Sequence, residues 1–412
     1  MTKPRRLLDL LVLNAYWVGL SFMWNSLHVI ILPAVLLLLV PDSFKNTYLG
    51  LLTFSGLVIA MIVQPVSGAI SDQWVSPLGR RRPLILLGTA FDFVFLAVLA
   101  WAGGLAWLAL GYFGLQVSSN LAHGPLQGLL PDQVPEDQLG RASGFKNLMD
   151  MTGLVASALI VGRVLDPQAL HPISAIGLVV AILAVSAAVT IIGVHEQPSV
   201  RVDKATKQSL FEAFRIDWHT HSRFAWLVAS RMFFLLAIYG IQVFALYFLR
   251  DVLKAENPVK LTGDLLASIT LALIFAALAG GWLGDRLGHT RMSYLACAVG
   301  GLGCLSMLLA RTPAAVLVFG TILGVGIGLF LTANWALLNE LAPVAEAGKF
   351  MGLTNLATAG AGALGRLEGP FIDLLNNARP GAWWGYSGLF LMGAVSIAVS
   401  AVLLAKVGKI HR

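Results

Sequence analysis

The chain has 412 residues, of which 57% are hydrophobic and only 12% are charged. A soluble domain carries about twice that share of charge, so a water-soluble enzyme or binding module is excluded and a polytopic membrane protein is implied. The formal net charge of +7 does not signal a nucleic-acid partner, because the basic residues fall in short loops between apolar runs.

Twelve apolar segments are long enough to span a bilayer, at about residues 10–39, 47–71, 84–102, 105–130, 142–165, 173–194, 224–249, 263–284, 293–310, 314–340, 350–374 and 383–405. The fold class is therefore an all-α polytopic membrane protein with twelve transmembrane helices. The opening MTKPRRLLDLL imitates a signal peptide. Its apolar stretch runs on to Leu39 without a small-residue cleavage site, so a retained first helix is predicted. The fourth, fifth and seventh segments carry enough polar residues that hydropathy alone can miss one.

With loops assigned alternately to two sides, one side carries more than twice as many lysines and arginines as the other. The positive-inside rule then places both termini in the cytoplasm, in a multi-pass protein of the inner or plasma membrane. The long polar loop at 196–222 holds Leu210, Phe214 and Trp218 at every fourth residue, with Phe211 beside them. That pattern predicts either a short interfacial helix or a plain tether.

Two repeats divide the chain. GAISDQWVSPLGRRR (Gly68–Arg82) returns in degenerate form as GGWLGDRLGHTR (Gly280–Arg291), about half the chain later. A second pair follows the fourth and tenth segments. Asp132 matches Glu340, Pro135 matches Pro343, Gly140 matches Gly348, Arg141 matches Lys349, Gly144 matches Gly352 and Asn147 matches Asn355, all at one offset. Two pseudo-symmetric six-helix bundles are predicted, residues 1–195 and 223–412, joined by the central loop.

Polar side chains in a bilayer are costly, so a stripe of them needs a wet or protein-facing wall. The fourth segment has Gln116, Asn120, His123 and Gln127 within about 60° of one another on a helical wheel. The first has Asn14, Ser21, Asn25 and His28, with Trp17 and Trp24 at its margins. The second half is drier, with Arg231, Tyr239 and Gln242 on the seventh segment and Asn334, Trp335 and Asn339 on the tenth. Amides and imidazoles beside indole rings suit a neutral polyol, while the drier wall leaves room for an amphipathic solute.

Two carboxylates fall inside spans. Asp92 lies roughly 13 Å into the third segment, with Gln64 at similar depth as a candidate partner. Asp150 follows Lys146 by one helical turn, which suits an ion pair. Asp92, Asp150, His28 and His123 are the candidates for proton coupling. No metal-ligand cluster, nucleophile triad or phosphate loop occurs, so no cofactor, metal or covalent catalysis is expected.

The loop with Gly68, Asp72, Gly79, Arg80 and Arg81, and its copy with Gly281, Asp285, Gly288 and Arg291, resembles the signature of the major facilitator superfamily. The longer VQPVSGAISDQWVSPLGRRRPLILLG (Val63–Gly88) resembles the sucrose–proton symporters and the wider glycoside–pentoside–hexuronide carriers. GLSFMWNSLHVIILP (Gly19–Pro33) resembles the first helix of sucrose carriers more loosely. The resemblance implies a cavity lined by the first, fourth, seventh and tenth helices. That makes Trp24, Asn25, His28, Gln116, Asn120, His123, Gln127, Arg231, Tyr239, Gln242, Asn334 and Trp335 the candidate cavity residues. It also implies a cytoplasmic gate made by Gly68, Asp72, Gly79, Arg80, Arg81, Arg82, Asp132 and Arg141, repeated by Asp285, Arg291, Glu340 and Lys349. The acids that melibiose-type carriers place on the second and fourth helices are missing, which argues against a sodium site of that type.

The expected function is secondary active transport of a small solute, a sugar or glycoside, by alternating access of a monomer coupled to protons. The alternatives are an exporter of a hydrophobic or amphipathic compound and a membrane assembly or pigment-delivery factor. Some bacterial chlorophyll-delivery proteins share a similar SD…GRRR loop.

Overall fold

The computed structural model describes residues 6–196, 221–343 and 347–408. The central segment with Leu210, Phe214 and Trp218 lies outside the described residues, as do the ends of the chain. Every regular element among the described residues is a helix.

In the first half, α1 is Leu7–Leu39, with one turn of π-helix at Ser26–Ile31. Then come α2 (Lys45–Asp72), α3 (Arg82–Ala100), α4 (Leu105–Gln133), α5 (Leu139–Val164) and α6 (Ile173–Gly193). In the second half, α7 is Ser222–Asp251, α8 is Pro258–Leu287, α9 is His289–Met307 and α10 is Pro313–Leu341. Helix α11 is broken into Ala347–Arg366 and Gly369–Ala378, where the sequence predicts a single span, and α12 is Trp384–Val407. Proline sits in the first turn of α3, α8 and α10, where its missing N–H costs nothing. Asn257 and Thr312 cap α8 and α10 by accepting the backbone N–H of Lys260 and Ala315.

Nine helices among the described residues are long and apolar enough to cross a membrane. Helices α4, α9 and α11 fall short on that measure; α4 is one of the three flagged from sequence, and it carries the polar stripe. The chain is an all-α multi-pass membrane protein, with nine such spans among the twelve long helical segments of its described residues.

The chain divides into two compact units. One holds the stretch up to Pro41 and that from Leu52 through α6; the other holds Asp42–Leu51 with α7 to α12. The first turns of α2 therefore belong to the second unit. Inside each unit the packing repeats. In the first, α1 packs on α5 and α6, and α3 on α4 and α6; in the second, α7 packs on α11 and α12, and α9 on α10 and α12. Small residues set the tightest crossings. A methyl group at Gly88 would stand 2.6 Å from the Ser118 carbonyl oxygen, and one at Gly326 would stand 2.6 Å from the Gly300 backbone. Close helix approach is the main source of packing energy in lipid, where burial of apolar surface gains little.

Candidate functional site

In the first unit the polar stripe of α4 meets that of α1, and most of its members bind one another. His28 Nε2 lies 2.9 Å from the Tyr112 hydroxyl, which also accepts Gln116 Nε2 at 2.8 Å. Asn120 Nδ2 donates to the Gln116 carbonyl at 2.8 Å and to its side-chain oxygen at 3.2 Å. Trp24 stacks on His28 at 5.0 Å, and Trp17 meets His123 edge-on at 5.1 Å. His123 lies 3.4 Å from Gln127, and Asn25 turns back onto Ser21 at 2.8 Å. Lys146 pairs with Asp150 at 2.7 Å and stands 4.2 Å over the Trp17 ring. Asn14 and Ser21 bind backbone carbonyls of α5, at Ala142 and Asp150, and so join helices.

Asp92 is fully buried where α3 crosses α4. Ser118 donates to its Oδ1 at 2.5 Å, while Oδ2 has no hydrogen-bond partner. The partner is Ser118, not Gln64: the crossing at Gly88 brings α4 against α3, so the nearest hydroxyl comes from α4. One turn away, Thr89 donates to the Ile85 carbonyl, so the Tyr16 hydroxyl donates to Thr89 at 2.5 Å.

The loop between α2 and α3 forms a connected ion cluster. Arg80 grips both carboxylate oxygens of Asp132 at 2.5 and 3.0 Å. Arg81, nearly buried, reaches Asp132 at 2.9 Å, Asp72 at 2.6 Å and the Ser71 hydroxyl. Gly128 leaves the space that the Arg81 guanidinium fills. Gly79 holds φ at +93°, the left-handed region that only glycine enters freely. Arg82 contributes through its backbone. Glu196, just past α6, accepts the N–H of Arg82 at 2.9 Å and that of Arg81 at 3.1 Å, capping the start of α3. Burial lifts the Glu196 carboxyl above the ordinary glutamate range, against the pull of those two N–H groups. Arg141 is exposed and pairs with no carboxylate among the described residues.

The copy in the second unit differs from expectation. Gly288 repeats the turn with φ of +91°. The residue that follows it, His289, lies 3.7 Å from Asp285 and 3.8 Å from Glu340. His289 thus occupies the place of Arg80, the residue after the matching glycine. Arg291 is exposed two residues further on and pairs with no carboxylate among the described residues. The Lys349 side chain lies outside the described residues.

Higher in the second unit, Arg231 on α7 is 7% exposed. Its Nε donates to the Thr358 hydroxyl and its Nη1 to Asn334 Oδ1, each at 3.0 Å, and the guanidinium lies 5.7 Å from the Trp335 ring. Tyr239 and Gln242 are half-buried on the same helix.

A second charged cluster escaped sequence reasoning. Lys45, 2% exposed, binds Asp251 at 2.6 Å and Asp42 at 3.2 Å. Tyr386 donates to the same Asp251 oxygen at 2.7 Å, and Arg250 bridges Asp42 and Asp251. Asp373 caps the start of α2, taking the Thr47 N–H at 2.6 Å and Asn46 Nδ2 at 2.7 Å. The signals that could have found it are Asp373 inside an apolar span and the Arg250–Asp251 pair closing α7.

The family model described as Major Facilitator Superfamily matches residues 7–365. A multi-drug resistance efflux pump of Streptococcus pneumoniae serotype 4 is 22% identical over 364 residues, covering 86% of this chain and 84% of that one. A sucrose transport protein of Arabidopsis thaliana is 26% identical over 155 residues, 33% of this chain and 30% of that one. Among solved structures, a nucleoside transporter overlays with a TM-score of 0.72 at 13% identity, covering 98% of this chain and all of that one. That likeness concerns the fold alone.

Proposed function

We propose, for a chain that belongs to the major facilitator superfamily, that it is a proton-driven exporter of an amphipathic organic compound. It works by alternating access of its two halves.

The observation that carries this reading is the state of the polar stripe. A polyol needs several donors and acceptors aimed at its hydroxyls. Here Gln116, Asn120 and His28 converge on Tyr112 and on one another, and Gln127 on His123. Of these contacts His28–Tyr112 runs from α1 to α4 and the others lie along α4. Trp17 and Tyr112 are buried, and the half-buried Trp24 is the indole the stripe leaves for a solute. The second half adds one cation beside an indole at Arg231 and Trp335. Similarity to a multi-drug efflux pump along most of both chains points the same way. Asp92 is the carboxyl for proton exchange, buried in the membrane with no cation paired to it among the described residues. The clusters at Arg80–Asp132 and His289–Glu340 serve as the cytoplasmic latch.

The second reading is proton-coupled sugar uptake, favoured by the match to a sucrose transport protein over a third of the chain. Proteoliposomes separate the two. With an acidic lumen, ethidium or fluorescein accumulates inside in exchange for protons, and radiolabelled sucrose does not. Sucrose accumulation driven by acid outside, with no transport of either dye, would replace the exporter reading by the sugar reading.

A further inference from the structure

Arg231 is the one guanidinium placed deep in α7, roughly 14 Å from the start of that helix. Its neighbours are all neutral: the Thr358 hydroxyl, the Asn334 amide and the Trp335 ring. No carboxylate pairs with it among the described residues. Asn334, fully buried, spends its oxygen on Arg231, and its Nδ2 has no hydrogen-bond partner. Thr358 accepts from Arg231 and donates to the Thr354 carbonyl, so it has no further proton to offer.

A guanidinium carries five N–H donors, and neutral groups here take two. An arginine does not shed its charge to escape burial, and a buried cation without a counter-ion is expensive to keep. The site therefore holds a permanent positive charge, an unsatisfied amide donor beside it, and an indole that is 43% exposed on the same wall. All come from α7 and α10, inside one unit. A carboxylate or sulfonate oxygen satisfies the first two together, and a ring or alkyl body covers the third.

We propose that Arg231, Asn334 and Trp335 form a subsite for the anionic head of an amphipathic organic acid, so that the exported compound is an organic anion. The proposal rests on the exporter reading and gives its substrate class. The nearby Asn334 amide supplies a sharp control. In Asn334→Asp the protein carries its own counter-ion 3.0 Å from Nη1. It should melt higher than the wild type and should no longer need an external anion.

The test is binding to the full-length protein in micelles, by equilibrium dialysis against empty micelles, with 1-naphthoate and its uncharged amide, 1-naphthamide. The wild type should bind naphthoate at least tenfold more tightly than naphthamide. Arg231→Gln and Asn334→Asp should both lose that preference while still binding naphthamide. Equal affinities in the wild type, or a preference that survives in Asn334→Asp, would overturn the subsite and leave the exporter reading standing. A wild type that binds neither compound but binds sucrose would overturn both.

Discussion

Ser118 donates its hydroxyl to one oxygen of Asp92, and the other oxygen of that buried carboxyl meets no donor. A group that carries a proton across a membrane must sit away from a fixed cation, yet be held in place. The α4 hydroxyl does the holding. Asp92→Asn should therefore abolish accumulation driven by a pH gradient while leaving substrate-for-substrate counterflow within about threefold of wild type. Proteoliposome flux in the two modes checks it. Unchanged gradient-driven accumulation would assign the proton elsewhere and leave Asp92 a purely structural group.

Glu196 caps α3 from the far end of its unit, and burial raises its pKa. Asp132 also raises it, while the N–H groups of Arg82 and Arg81 and the charge of Arg81 lower it. The folded protein thus binds this proton more tightly than the unfolded chain does. Its contribution to stability is complete below the ordinary glutamate range and is lost as pH rises through the raised value. Melting curves of wild type and Glu196→Gln should converge at neutral pH in slope but differ in the acid range, where only the wild type gains stability as pH falls.

Gly79 and Gly288 have nearly the same positive φ, +93° and +91°, yet their surroundings differ. A methyl group on Gly79 would collide with the Glu196 side chain, whereas one on Gly288 meets nothing within 4 Å. Gly288→Ala should cost about 1 kcal/mol, the strain of its φ alone. Gly79→Ala should cost clearly more and should also loosen the Arg80–Asp132 contact. Thermal unfolding of the two variants side by side measures the difference.

Lys45 and Asp251 are both nearly buried and 2.6 Å apart. Removing one member of a buried pair and stranding the other costs ~3 kcal/mol. Lys45→Met should cost less than that, because Asp251 keeps Arg250 at 3.2 Å and the Tyr386 hydroxyl at 2.7 Å. Lys45→Met with Asp251→Asn should recover part of the loss, because the carboxylate that has lost its nearest cation is then neutral. A double-mutant cycle on melting temperature reads the coupling.

The helices were legible because hydrophobic runs of membrane length leave few alternatives. The repeat was legible too, down to the matching left-handed glycines. What sequence could not show is which residue reaches across. His289 was passed over for Arg291 because charge was counted along the string; the turn at Gly288 instead presents the very next residue to Glu340. Tyr112 is not part of the stripe read from the sequence, although its hydroxyl is where His28 and Gln116 meet. Glu196 and Asp373 cap helices far away in the chain, and a cap from a distant segment leaves no local pattern. Gln64 was matched to Asp92 by depth alone, which says nothing about which faces the helices turn to each other.

The π-helical turn at Ser26–Ile31 holds one residue more than an α-helix needs to link the same two flanks. Both flanks, Leu7–Asn25 and Leu32–Leu39, are ordinary α-helix. Loss of a single amino acid inside the turn would let it close as α-helix with both flanks still in register. Deletion scanning along α1 should therefore find one tolerant window, centred on this turn. A one-residue deletion elsewhere in the helix would rotate every side chain beyond it by about 100°.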